Sequence, residues 1–134
     1  TIEELANSMG ISYTDAFEYI QNNKKFDYIT QKFFEKIRNC ILNNDDFIID
    51  RTHLKRNVRI SLINELKTIA TENGKHLDLF AVSFEIPRNI IFERLKKREK
   101  KTQKLIPKQV ICEQINSFDI PTMDEGFNAI ERIN

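Results

Sequence analysis

Glycine is scarce here: Gly10, Gly74 and Gly126 are the only three in 134 residues. A phosphate-cradling loop of the form Gly-x-x-x-x-Gly-Lys-[Ser/Thr] needs two closely spaced glycines, so these residues contain none. Cysteine is limited to Cys40 and Cys112, isolated within predicted helices and without metal-ligand or redox spacing. They read as buried apolar thiols. No window approaches the roughly 18 uninterrupted apolar residues of a membrane span, and the first residues lack the basic, apolar and small-residue succession of a signal peptide. No membrane partner and a cytoplasmic location are therefore expected. A formal net charge of +1 gives no overall argument for a polyanionic partner. Thr1 in place of an initiator Met fits a chain whose beginning lies elsewhere.

What is present fits one globular domain, 40% hydrophobic and 31% charged, large enough for a real core but not for two. Thr1 to Met9 predicts a short helix stopped by Gly10, and Ser12 with Asp15 three residues on predicts the cap of the next. Asp27 is expected to cap a longer helix carrying Ile29, Phe33, Phe34, Ile37, Ile41 and Leu42. Phe47-Ile48-Ile49 is a short apolar run of the kind buried on both faces of a parallel sheet. Val58, Leu62, Leu66 and Ile69 then mark the face of a helix from about Lys55 to Glu72, closed by Asn73-Gly74. His76 to Ile86 reads as a central strand, and Pro87 as the start of a helix with Ile90, Ile91 and Leu95. The stretch 96–104 is the one candidate mobile loop, before Pro107 opens a helix through Ile115. Alternating strands and helices predict a parallel sheet covered by helices. Phe33, Phe34, Phe80 and Phe84 are assigned to its core.

Three groups of side chains carry possible chemistry. Asp50 ends an apolar strand, and ligands of open parallel sheets bind at the carboxyl ends of strands. A carboxylate there can hold Mg²⁺ when a triphosphate supplies the other oxygens; the alternative is that it caps the following helix. Thr52 and His53 share that turn, Thr52 as a hydroxyl facing an acceptor or as a cap, His53 as a proton carrier or a phosphate hydrogen-bond partner. Between Arg94 and Lys104, seven of eleven residues are Lys or Arg. Arg94 and Arg98, four apart on a helix, project from one face. Guanidinium forks of this kind stabilise charge on a transferred phosphate, although such a run is also a common solvated surface. As a nucleic-acid stripe it lacks interleaved aromatics and a net basic domain.

The succession Ile49-Asp50-Arg51-Thr52-His53-Leu54 with Arg56 and Arg59, then Val82-Ser83-Phe84-Glu85-Ile86-Pro87, Arg94-Leu95-Lys96-Lys97-Arg98, Ile106-Pro107, and Phe118-Asp119-Ile120-Pro121 to Glu125-Gly126-Phe127, resembles the kinase domain of phage-type polynucleotide 5′-hydroxyl kinases. The match runs from about residue 46 to 133. It implies an α/β fold, a three-layer αβα P-loop kinase-like domain with a parallel sheet, whose N-terminal strand and P-loop are absent from this chain. Residues 1–134 are then a single partial domain with a lid at about 94–107.

The same resemblance implies transfer of the ATP γ-phosphate to the 5′-hydroxyl of DNA or RNA, with ATP and Mg²⁺ as cofactors and nucleic-acid 5′ ends as partners. Asp50 takes the metal and a catalytic role. Arg94 and Arg98 bind the nucleotide, with Arg98 catalytic, and Thr52, His53 and Arg56 meet the acceptor. Pro121 to Ile130 matches a structural segment bordering the nucleotide base. His53 departs from the family, where Asn is usual. The P-loop and general base both precede the region of Thr1, so this fragment alone is expected to be inactive. Two other readings stand beside this one, since fold does not fix substrate. One is a P-loop kinase acting on a small metabolite or a tRNA-linked acceptor. The other is a non-catalytic nucleic-acid-binding module using the basic stretch.

Overall fold

Thr1 and Gly10 delimit the first helix, α1 (Ile2–Met9), in a computed structural model that describes residues 1–22 and 26–134, with Phe26 as backbone only. The Thr1 hydroxyl accepts the Glu4 amide at 3.1 Å, and Gly10 turns left-handed at φ 65° to close the other end. Ser12 does the same service for α2 (Tyr13–Asn22), accepting the Asp15 amide at 3.1 Å. The two helices pack together with Ala6, Ala16 and Ile20 buried.

The main core lies between α3 (Phe26–Asn43) and α4 (Arg56–Glu72). Ile37 and Ile41 of the first meet Leu66, Ile69 and Ala70 of the second, ringed by half-buried Phe33, Phe34, Phe47, Ile49, Leu62, Leu77 and Leu79. Asp27 lies in the first turn of α3 rather than at its cap. A carboxylate there still complements the helix dipole. On α4 the buried face is Arg59, Ile63, Leu66, Ile69 and Ala70. The expected stripe was turned partly toward solvent: Val58 is 45% exposed. An arginine occupies the inward position because it has a buried partner, described below.

The sheet is a parallel pair, β1 (Phe80–Phe84) with β2 (Ala129–Ile133), in register Phe80 to Ala129 through Phe84 to Ile133. It is extended at both ends by Asn128 N–H to Leu79 O and Glu85 N–H to Ile133 O, each 2.7 Å. Two strand expectations are corrected. The eleven residues from His76 to Ile86 contract to these five, and Phe47–Ile49 has no ladder bonds among the described residues. A strand exists only through its pairing, and apolar sequence supplies none. Phe47 and Ile49 nonetheless pack on the α3–α4 core, while Ile48 is 94% exposed.

The even positions of β1 face outward in the same way: Phe80 is 70% and Phe84 63% exposed, so neither is a core residue. Phe33 and Phe34 are half-buried at the core's edge, ring centroids 5.1 Å apart. Parallel sheets are ordinarily covered on both faces. Here one face is covered and the other is apolar and bare.

Between β1 and β2 run α5 (Arg88–Thr102), α6 (Lys108–Asn116) and a single 3₁₀ turn, Met123–Glu125. Pro87 and Pro107 stand immediately before the two helices, where a missing N–H costs nothing. The stretch read as a mobile loop is helical through Thr102 and capped by Gln103 in the left-handed region, φ 54°. Lys100 and Lys101 in its last turn complement the helix dipole. Both cysteines are free and half-buried rather than buried, and Cys112 Sγ lies 2.7 Å from Arg88 Nη2.

Candidate functional site

Asp50 follows the apolar run Phe47–Ile49 and precedes α4 by several residues. The N-cap of α4 is Lys55, without a side-chain capping bond, so Asp50 does not cap that helix. That task falls to Asp119, whose Oδ2 accepts the Arg56 amide at 2.9 Å. Among the described residues the Asp50 carboxylate and the Thr52 hydroxyl have no hydrogen-bond or ionic partner, and both residues are exposed. Their capping alternatives are thereby removed. His53 is half-buried in the same turn. Burial, and then the positive charges of Arg51 and Arg59, hold its pKa below the ordinary 6.5, so the imidazole is neutral at pH 7.

Arg56 is occupied. Its guanidinium forks onto Asp124 at 3.0 and 2.7 Å and reaches Thr122 Oγ1 at 2.6 Å. Three residues on, Arg59 is buried against Glu125, with Nε to Oε2 2.7 Å and Nη2 to Oε1 2.8 Å. Its remaining Nη1 donates to the carbonyls of His53 and Leu54 at 3.0 and 2.8 Å. The turn that carries Asp50, Thr52 and His53 is thus held to the start of α4 and to the 3₁₀ turn by buried charge. Asp119 and Glu125 figure in the sequence only as parts of the family-like motif, without these roles, and Asp124 carries no sequence expectation. A Thr122-x-x-Glu125 capping pattern was available as a signal, and Glu125 Oε1 does accept the Thr122 amide at 3.1 Å.

Arg94 and Arg98 lie one turn apart on α5, both exposed. Arg94 has no partner among the described residues. Arg98 Nη2 lies 3.7 Å from Glu3 Oε1, and Lys104 Nζ lies 3.1 Å from the same oxygen. Lys104 also sits 3.7 Å over the Tyr13 ring. A carboxylate of α1 therefore stands against Arg98 near the end of α5 and Lys104 just beyond it. Asp50 and the arginine pair share no hydrogen bond or ion pair among the described residues.

No protein-family model, curated protein or solved structure matches this chain. Chemistry at the site rests on its own residues. Among the described residues no three His, Cys, Asp or Glu side chains gather to hold a metal ion, and no helix is long and apolar enough to cross a membrane. A lone unpartnered carboxylate is nonetheless compatible with Mg²⁺, which takes one or two carboxylates and completes its shell with phosphate oxygens and water.

Proposed function

We propose that this chain is a partial P-loop kinase domain of three-layer αβα type, an ATP-dependent phosphotransferase resembling polynucleotide kinase that phosphorylates 5′-hydroxyl ends of DNA or RNA. The observation that carries the reading is Asp50. It is a carboxylate at the mouth of an apolar segment, relieved of capping by Asp119 and left without any partner among the described residues. An exposed acid that serves no local structure is free for a cation. Mg²⁺ bound with ATP would neutralise charge on the phosphates, and Asp50 is the residue to hold it. Thr52, equally unpartnered, and His53, neutral and half-buried, then border the acceptor hydroxyl.

Arg94 and Arg98 present two permanent positive charges from one helix face, suited to phosphate oxygens. Glu3 already engages Arg98 and Lys104 with a carboxylate, which is the chemistry an anionic ligand would replace. Arg56 meets an acceptor only by giving up Asp124. The bare apolar side of β1 formed by Phe80, Val82 and Phe84 supports a further covering layer. In this reading that layer carries the phosphate loop, which three scattered glycines cannot build.

The test uses protein expressed from the complete reading frame, γ-labelled ATP and a 5′-hydroxyl oligonucleotide. Label is expected on the oligonucleotide, with Asp50→Asn and Arg98→Ala each lowering kcat at least tenfold while thermal stability stays within a few degrees. Absence of transfer with ATP demonstrably bound would overturn the polynucleotide acceptor. Full activity of both variants would overturn the site.

A further inference from the structure

Beside the Asp50 turn, a groove of about 390 Å³ runs between α3 and α4. That volume falls at the small end of ligand clefts. Its wall on the α3 side is aromatic, Phe33 and Phe34. Its opposite wall holds Arg51, His53 and Asn57, with Glu65 further along α4. The guanidinium carbon of Arg51 lies 4.4 Å from the Phe33 ring centroid, so a charged plane is already seated on an aromatic face. The exposed residue Arg51 has no carboxylate partner among the described residues.

Each component has a bland role by itself, and their convergence is what points to a ligand. Phe33 and Phe34 complete the edge of the core, but they leave ring surface in the groove rather than burying it. His53 needs no proton to be tolerated there, and among the described residues its ring nitrogens have no hydrogen-bond partner. A neutral imidazole offers one donor and one acceptor. Asn57 uses its Oδ1 to accept the Val58 amide at 3.0 Å, which leaves its amide N–H₂ to donate. A planar apolar platform edged by donors and an acceptor, with a cation above it, matches a flat heterocycle that is itself edged by donors and acceptors. A purely aliphatic ligand would leave His53 and Asn57 unsatisfied. A bare phosphate would have no use for Phe33 and Phe34.

We propose that this groove is the subsite for a nucleobase, that of the nucleotide bearing the acceptor hydroxyl. The base stacks on the Arg51 guanidinium or on the phenyl rings beside it, both of which are platforms for unpaired bases. His53 and Asn57 hydrogen-bond its edge. The placement rests on the acceptor reading given above, because Thr52 and His53 lie on the turn that joins the groove to Asp50. It adds a requirement that reading does not contain, namely that the ring and not only the sugar-phosphate is held.

Two ligands separate the possibilities: a 5′-hydroxyl deoxydinucleotide, and the same molecule with its 5′ residue abasic. NMR titration of this chain should move the His53 ring and the Phe33 and Phe34 ring signals with the intact ligand. The abasic ligand should bind roughly tenfold or more weakly, as should the intact ligand to Arg51→Ala or Asn57→Ala. Equal binding of the two ligands, or shifts confined to α5, overturns the proposal. So does no binding of either at millimolar concentration. The outcome is independent of phosphotransfer: a base held here by a protein that transfers no label would sink the kinase reading and leave the subsite standing.

Discussion

Arg59 and Glu125, 66 residues apart, face each other as a two-bond pair whose carboxylate side chain is fully buried. Each guanidinium nitrogen of Arg59 and each carboxylate oxygen of Glu125 is engaged. Arg59 also holds the His53 and Leu54 carbonyls, and Glu125 also holds the Thr122 amide. The pair therefore fixes the turn carrying the candidate site to α4 and to the segment leading into β2.

Removing Arg59 leaves the buried Glu125 carboxylate with Arg56, at 3.7 Å, as its one remaining cation and without its two short hydrogen bonds. Arg59→Ala should destabilise the fold by roughly 3–5 kcal/mol in urea unfolding. The double variant Arg59→Met, Glu125→Leu should cost clearly less than the two single changes summed, because no naked charge is left. It should not reach wild type, since the two carbonyls and the Thr122 amide lose their partners. A single-variant cost below about 1 kcal/mol would mean the pair is effectively solvated.

Acid should unfold the protein through the same cluster. The Arg56 hydrogen bonds, then that from Thr122, hold Asp124 down from 3.8 to about 2, and the Arg59 bonds hold Glu125 below its ordinary 4.5. Both folded-state values lie under the unfolded ones, so the unfolded chain takes up protons first. The stabilisation is complete above about pH 4.5 and fades as pH falls toward 2. Comparing urea midpoints at pH 6 and pH 3, Glu125→Gln should trail wild type most at pH 6. A gap that widens on acidification would contradict the assignment.

Gly126 and Gly10 both have positive φ, 114° and 65°, but only Gly126 is crowded: a Cβ there would meet Lys67 Nζ at 3.0 Å and Ile63 Cγ2 at 3.2 Å. Gly10→Ala should cost about 1–2 kcal/mol from backbone strain alone. Gly126→Ala should cost more, and thermal melting of the two variants orders them. Equal losses would show that Ile63 and Lys67 yield freely.

Several elements were legible because their signals are local. Ser12 with Asp15, Gly10, Asn73-Gly74, Pro87 and Pro107 each act within a few residues, and helices begin or end at each of them. Burial was less legible. The inward stripe of α4 includes Arg59, which a hydrophobic pattern counts as outward, and this turned the expected face toward Val58. Phe80 and Phe84 are core residues by type, yet the side of β1 they occupy is exposed, with little packed on it among the described residues. The loop expected at 96–104 failed for a related reason, since repulsion among lysines and arginines on a solvated helix is weak beside their good helix propensity and the favourable dipole at its end.

The amino-acid order alone determined where most helices start and stop, which apolar run precedes Asp50, and that two arginines share a helix face, because each depends on spacing along the chain. Only the tertiary structure decided that Asp119 rather than Asp50 serves the start of α4, that Arg56 is tied to Asp124, that Glu3 reaches Arg98 and Lys104, and that Arg51 covers Phe33. Those partners lie far apart in the chain, and no local propensity encodes which distant charge or ring will be brought within bonding distance when the core closes.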